Sequence, residues 1–337
     1  MATIGDLNPT ITDVQKTLDP DGSAASIIEL LKEHNEILDD ITYIEGNETD
    51  GHRVTVQTGL PSGIWRAYNQ GIPSSKATTA QVKEVNAQRA QRLAVDVDLA
   101  NKQANREQFL LFQANSHLEA LNQDVVEAMF YSNAELNPGQ PMGFAPRYSD
   151  LGAVNGEMVI DAGGTGAADN ASIWLMGWSP TGAFAFYPRG SQSGVRRENL
   201  PDAEELDADN NPFLAHIRVF KWDIGFGLAD WRYAGRIANI PPSVAVDPTP
   251  AAADNLIIQM TRLSERVADL QGRARWAFYM PRKLREAVRI QALHTKNLRF
   301  SYEDIAGRRA LAFDGIPVRR VDRLLNTEAR VLDSTET

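Results

Sequence analysis

The sequence predicts a mixed α+β protein with more than one lobe. Three observations carry that expectation. One apolar stripe is long enough for an unusually long helix, two strand signals flank an aromatic loop, and the later strand and helix signals neither alternate regularly nor segregate. The 337 residues suit two domains or one elaborate one. With 43% hydrophobic and 23% charged residues, the chain can bury a core and has no bias toward disorder.

The opening stretch Thr3–Gly22 is polar and rich in Pro and Asp, and predicts an extended arm. Ser23–Asp40 predicts a helix, with Ile27, Leu30, Leu31, Leu38 and Ile41 near a 3.6-residue period and Ser23 as its cap. Asp50-Gly51 signals a turn, and His52–Thr58 alternates Val54 and Val56 with polar neighbours, as a strand does. Gly59–Ser75 sets Leu60, Trp65, Tyr68 and Ile72 among Pro61, Gly63, Gly71 and Pro73. Gln81–Leu99 is mixed: an alternating strand, or a strand turning into a short helix near Asp96. Residues 45–95 are expected to form a long hairpin with a partly apolar tip.

Arg106–Phe130 is the clearest helix. Leu110, Ala114, Leu118, Leu121, Val125 and Met129 form one stripe, and at ~1.5 Å per residue the helix would be about 40 Å long. Asn137-Pro138-Gly139 ends that region. Ser172–Trp178, Ala183–Tyr187, Leu214–Asp223 and Gly227–Ile237 are expected strands, with loops at Asp161–Asn170 and Pro201–Pro212. Pro241–Pro250 is expected to be a linker. Asp254 would cap a helix carrying Leu256, Met260, Leu263, Val267 and Leu270. Arg275–Tyr279 is a short strand, Pro281 opens a helix to about Leu293, and Leu311–Val321 is a last strand interrupted at Gly315-Ile316-Pro317.

Composition removes several chemistries. There is no cysteine, so disulfides, thiolate zinc sites and cysteine nucleophiles are excluded. A net charge of −10 is the wrong sign for wrapping nucleic acid through phosphate neutralisation, although a local basic patch stays open. Met1-Ala-Thr-Ile-Gly-Asp has no basic region followed by an apolar one, and the apolar run near Ala171–Trp178 is far short of a membrane helix. A protein made in the cytoplasm, with no membrane partner, is expected.

Four features invite a chemical reading. Asp161-Ala-Gly-Gly-Thr165-Gly166 is similar to the phosphate loop of the actin and sugar-kinase superfamily, where backbone N–H groups cradle phosphate. A nucleotide-dependent phosphotransferase using Asp161–Thr165 is therefore the enzymatic alternative, but the second loop it needs is absent from the sequence. Asp207–Asn211 begins like a calcium loop, yet Pro212 and Arg218 stand where the turn glycine and the bidentate glutamate belong. The histidines His34, His52, His117, His216 and His294 show no metal-ligand spacing, and His117 beside the apolar stripe is expected to be packed or on the surface. Basic clusters at Arg196-Arg197, Arg273–Arg289 and Arg308–Arg323 are either solvated faces with local ion pairs or faces toward DNA or acidic neighbours. No catalytic residue, cofactor or metal ligand is expected.

The loop Gly59–Ser75 is the most informative segment. A loop carrying Leu60, Trp65, Tyr68 and Ile72 is costly to leave in water, and aromatic residues on loops commonly anchor partners. Flanking strands would project such a tip away from its own core.

An ordered set of short runs resembles a known family over about residues 50–325. Tyr68-Asn-Gln-Gly71 and Ser74-Ser-Lys76-Ala-Thr-Thr79 are similar to the projecting loop of major capsid proteins from a group of tailed double-stranded DNA phages. Phe130-Tyr-Ser-Asn133, Gly143-Phe-Ala-Pro-Arg147-Tyr148, Asp161–Gly166, Ile173-Trp174, Tyr187-Pro-Arg-Gly190, Asp230-Trp-Arg-Tyr233, Arg236-Ile-Ala-Asn-Ile240 and Phe313-Asp-Gly-Ile-Pro-Val318 follow in order. Ser132 stands where the resemblance leads one to expect glycine.

The resemblance implies the Hong Kong ninety-seven capsid fold. That gives an N-terminal arm and helix (1–44), an extended hairpin loop (45–97), a peripheral domain with a long spine helix (98–150 with 294–337) and an axial domain (151–293). It also implies assembly into hexamers and pentamers of an icosahedral head that encloses double-stranded DNA without reading its sequence, with portal, scaffold and decoration proteins as further partners. The virion is then the protein's location after assembly in the host cytoplasm. The loop residues expected to meet a neighbouring subunit are Leu60, Trp65, Arg66, Tyr68, Ile72 and Lys76. Some relatives cross-link a loop lysine to a neighbour's asparagine; Lys76 lies in the corresponding loop, but no motif fixes its partners.

Overall fold

The computed structural model describes residues 33, 35–102, 105–207, 210–241, 255–267, 274–294, 300–305 and 308–334. The predicted arm, the first part of the Ser23–Asp40 helix, Asp254 and nearly all of the Pro241–Pro250 linker lie outside them. The chain divides into two compact units. One comprises residues up to 33, 88–126 and 194–223; the other comprises 34–87, 127–193 and 224–337.

In the first unit, the strand Ala87–Asp96 runs straight into the short helix Val97–Asn101. Asp96 marks the change, its carboxylate accepting from the N–H groups of Asp98 and Leu99 as an N-cap does. The predicted long helix spans Arg106–Tyr131. Within this unit its stripe residues Leu110, Ala114 and Leu121 close a core with Leu93, Val95, Leu99 and Phe220. His117 stacks on Phe220 and bonds Gln91 at 3.0 Å. The strands Val195–Asn199 and Ala203–Leu206 pair antiparallel with the long strand Pro212–Leu228. The expected loop Pro201–Pro212 is thus partly strand: alternation hid it, because its residues are mostly polar and exposed.

Leu214–Asp223 and Gly227–Ile237 are also corrected. A single strand covers Pro212–Leu228, a 3₁₀ turn covers Trp231–Tyr233, and a separate strand covers Ala234–Ile240. Gly225 and Gly227 do not break the strand. They leave room for the rings of Phe186 and Phe184, which would lie 2.4 Å from an added Cβ at either position.

The second unit is built around the strand Ala171–Trp178, every residue of which is buried. Ala234–Ile240 and Arg275–Met280 flank it, both antiparallel. Arg275–Met280 then pairs in parallel with Ile316–Arg320. The predicted terminal strand is two strands, Arg308–Phe313 and Ile316–Arg320, joined by a turn at Asp314 (φ 48°) and Gly315 (φ 78°). Consecutive positive φ values give the tight hairpin whose twist matches the strands. Phe300–Ile305 adds a further antiparallel strand. The helices Leu256–Arg266 and Arg282–His294 pack against each other, and Asn255 caps the former through the N–H groups of Ile257 and Ile258.

Candidate functional site

The two-stranded hairpin of the second unit is formed by Gly51–Gly59 and Thr78–Val85, in register from Gly51↔Val85 to Gln57↔Thr79, with a shift before Gly59↔Thr78. Its base is fixed and its tip is bare. At the base, Glu84 is the one buried residue of its strand. Arg147 donates to both its carboxylate oxygens, at 2.5 and 2.7 Å. The same guanidinium donates to the carbonyls of Gly143, Met142 and Phe226 at 3.1–3.2 Å. A bidentate pair with further acceptors on its guanidinium is the geometry in which a buried ion pair holds.

Directly across the ladder from Glu84, His52 packs edge-on against Phe184, with ring centroids 5.2 Å apart. Burial holds its imidazole below the ordinary 6.5, against the pull of the Glu84 carboxylate. Asn47 brackets Arg53 by accepting from its N–H and donating to its C=O, both at 2.8 Å. Lys83 bonds Asp50 at 2.7 Å.

Residues 60–77 form the tip. Trp65 is 102% exposed and Tyr68 98%. Leu60, Ile64 and Ile72 are exposed as well. Ala67–Gln70 makes a turn with Asn69 in the left-handed region at φ 68°, and the Ser75 hydroxyl links the two sides of the tip by donating to Ser62 C=O at 2.8 Å. Among the described residues, neither Arg66 nor Lys76 makes an ion pair. A cleft of about 720 Å³ runs along the hairpin's first strand, bounded by Pro180, Thr181 and Trp231.

The glycine loop does not form a phosphate cradle. Three successive N–H groups are already used: Ala162 donates to Ala238 C=O at 3.0 Å, Gly163 to Asp161 Oδ1 at 2.8 Å and Gly164 to Asn239 C=O at 2.8 Å. Phosphate binding needs those donors open. Asn239 also grips the C-terminal segment, donating to Val331 C=O and accepting from Val331 N–H at 2.8 Å.

Beside it lies a buried cluster centred on Glu328. Arg236 donates to the carboxylate at 2.8 Å and Tyr131 at 2.5 Å, and the Ser172 hydroxyl is its third donor. Arg236 is itself stacked 5.2 Å over the Trp174 ring. Burial, with the adjacent carboxylate, pushes the Tyr131 phenol far above its ordinary value, so the phenol serves as a fixed donor. Ser132, which stands where the resemblance leads one to expect glycine, is buried and donates to the carbonyls of Ala128 and Pro141.

Local ion pairs hold Arg196 to Asp223 at 3.1 Å and Arg285 to Glu36 at 3.9 Å, and they are densest in the Arg308–Arg323 cluster. Arg319 meets Asp40 at 3.1 Å, Arg320 meets Asp322 at 2.5 Å, and Arg323 meets Glu127. Among the described residues no group of His, Asp or Glu is arranged to hold a metal ion. Asp207 bonds within its own turn, accepting from Asn211 N–H at 2.8 Å. His216 lies between Arg106 and Asp202. Sequence reasoning located the loop residues but missed Glu84 and Glu328. Their partners are 63 and 92 residues away in the chain, and no local pattern marks such pairs.

One family model, major capsid protein GP7, matches residues 19–332. No curated protein matches the sequence. Among solved structures, the chain is similar to a near-atomic structure of bacteriophage Epsilon15, with a TM-score of 0.79 and 28% identity, covering 98% of this chain and 99% of that one. It is also similar in fold to the bacteriophage JBD30 capsid, with a TM-score of 0.50 and 10% identity over 93% of this chain and 98% of that one.

Proposed function

Since the chain belongs to the major capsid protein GP7 family, a family of structural shell proteins rather than enzymes, we propose that its copies form the hexamers and pentamers of an icosahedral phage head around double-stranded DNA. It has the α+β fold of the Hong Kong ninety-seven capsid type. In this reading residues 1–44 are an arm and helix, 45–97 the extended loop, 98–150 with 294–337 the peripheral domain, and 151–293 the axial domain. Assembly takes place in the host cytoplasm, with portal, scaffold and decoration proteins as additional partners. Packaged DNA is contacted without regard to sequence.

The exposure of Trp65 and Tyr68 carries the reading of the loop. A two-stranded hairpin alone in water is marginal at best, and large aromatic side chains gain most where a partner dries them. Leu60, Trp65, Arg66, Tyr68, Ile72 and Lys76 therefore form the surface that lies over a neighbouring subunit. The test is negative-stain microscopy of the purified protein, with scaffold where required, beside a variant carrying Trp65→Ala and Tyr68→Ala. Wild-type shells and a folded but unassembled variant are expected. Wild-type protein that stays monomeric under every condition would refute the assembly reading, and normal shells from the variant would refute the loop's part in it.

A further inference from the structure

The hairpin tip needs a receiving surface, and the first unit offers one of matching chemistry. In the ribbon Ala203–Leu206 and Pro212–Leu214, Glu204 lies directly across from Leu214 and Leu206 directly across from Pro212. Residues opposite one another, and residues two apart, share one face of a sheet. Leu206, Glu204, Pro212 and Leu214 therefore form a single face. All four are exposed, Leu206 at 59% and Leu214 at 49%.

Glu205 belongs to the opposite face, where Arg92 holds it. Among the described residues Glu204 makes no ion pair. The segment 200–214 contains five acidic residues, Asp202, Glu204, Glu205, Asp207 and Asp209, and no basic one. The tip is its complement: segment 60–77 carries Arg66 and Lys76, no acid, and exposed Trp65 and Tyr68. Outside the tip, the described aliphatic residues more exposed than Leu206 are Leu136, Val154 and Leu293, which stand singly along the chain.

We propose that the tip of one copy docks on the ribbon face of a second copy, with Trp65 and Tyr68 covering Leu206 and Leu214 and Arg66 meeting Glu204. Apolar contact at the centre with a charge pair at the edge is the usual anatomy of a specific interface, and the pair fixes which surfaces may meet. This rests on the assembly reading above, because the second copy is a neighbour in the shell.

The absence of cysteine from the chain gives a clean test. Copies carrying only Trp65→Cys or Tyr68→Cys are mixed with copies carrying only Leu206→Cys or Leu214→Cys, assembled, and oxidised. A disulfide needs Cα atoms within about 7 Å, so a cross-linked dimer joining the two kinds of copy is expected in at least one of the mixtures, and only after assembly. Shells that form normally but give no such dimer in any mixture overturn the pairing while leaving the assembly reading intact. Failure of wild-type protein to form shells overturns both.

Where a cysteine variant does not assemble, charge exchange gives the same decision. Arg66→Glu and Glu204→Lys should each lower shell yield, and the two together should restore it. Normal yield from both single variants, or no restoration in the double, rejects the pairing.

Discussion

The strands Ala171–Trp178 and Thr78–Val85 have the same length, eight residues, and opposite environments. Every residue of the first is buried, whereas in the second only Glu84 is. The first strand is stabilised by its own chain, through neighbours on both edges and side chains packed on both faces. The second has one backbone ladder and one buried ion pair. Its other polar contacts are exposed, such as that of Lys83 with Asp50, and its apolar side chains are left in water. A protein that assembles can leave such an element underfilled in the monomer, since association then supplies the missing burial.

The largest expected effect tests the first half of that contrast. Trp174→Ala removes a fully buried ring that packs against Phe130 and Tyr148 and lies under Arg236. Truncating such a residue typically costs about 3–5 kcal/mol. Chemical denaturation of the unassembled subunit should show that loss. A change below about 1 kcal/mol would mean that the strand is not where the subunit's stability resides.

Next in size is Glu84→Gln, which keeps the shape at the hairpin base and removes the charge facing Arg147. The guanidinium retains its three carbonyl acceptors, so the cost should be about 2 kcal/mol, near that of a charge-assisted hydrogen bond. Amides of Gly51–Gly59 and Thr78–Val85 should exchange faster with deuterium while those of Ala171–Trp178 do not. Uniform acceleration in both would show that the hairpin is not held separately.

How far each region was legible in the sequence follows the same contrast. Local periodicity gave the helix Arg106–Tyr131, because its core-facing stripe repeats within the chain. It gave the hairpin's first strand, because Val54 and Val56 alternate, but left the second, Thr78–Val85, partly inside a stretch of mixed signals. It failed at Ala203–Leu206, where four mostly exposed residues are too few to show an alternating pattern, and it split Pro212–Leu228 in the region of two glycines. Those glycines are receptors for phenylalanine rings from a neighbouring strand, a reason that only the fold reveals. Gly227→Ala should therefore destabilise the subunit by about 1–3 kcal/mol through overpacking, and thermal melting would show it. The tip was legible as an exposed aromatic loop because its aromatic residues sit among prolines and glycines. Its anchor Glu84 was not, because Arg147 lies 63 residues away.

Acid should separate the two regions by a smaller amount. Burial lowers the pKa of His52 at the hairpin base. A histidine held neutral in the fold binds fewer protons there than in the unfolded chain. Its contribution is therefore complete above about 6.5, the unfolded value, and is lost as pH falls from there through the lower folded value. Hairpin protection, corrected for the intrinsic pH dependence of exchange, should drop between pH 7.5 and 5.5 more than protection of Ala171–Trp178. His52→Gln should abolish that difference, and its persistence in the variant would exclude His52 as the cause.

The smallest effect is the most discriminating. Trp65→Ala with Tyr68→Ala deletes two of the largest side chains in the molecule, yet both are almost fully in contact with water. Removing exposed surface loses no burial, so the unassembled subunit should change by no more than about 0.5 kcal/mol in denaturation. Two aromatic rings whose loss is silent in the monomer, but prevents shell formation, would locate their energy between copies. A loss of 2 kcal/mol or more in the monomer would instead mean that the tip folds back on its own chain in solution, and the contrast between the two strands would disappear.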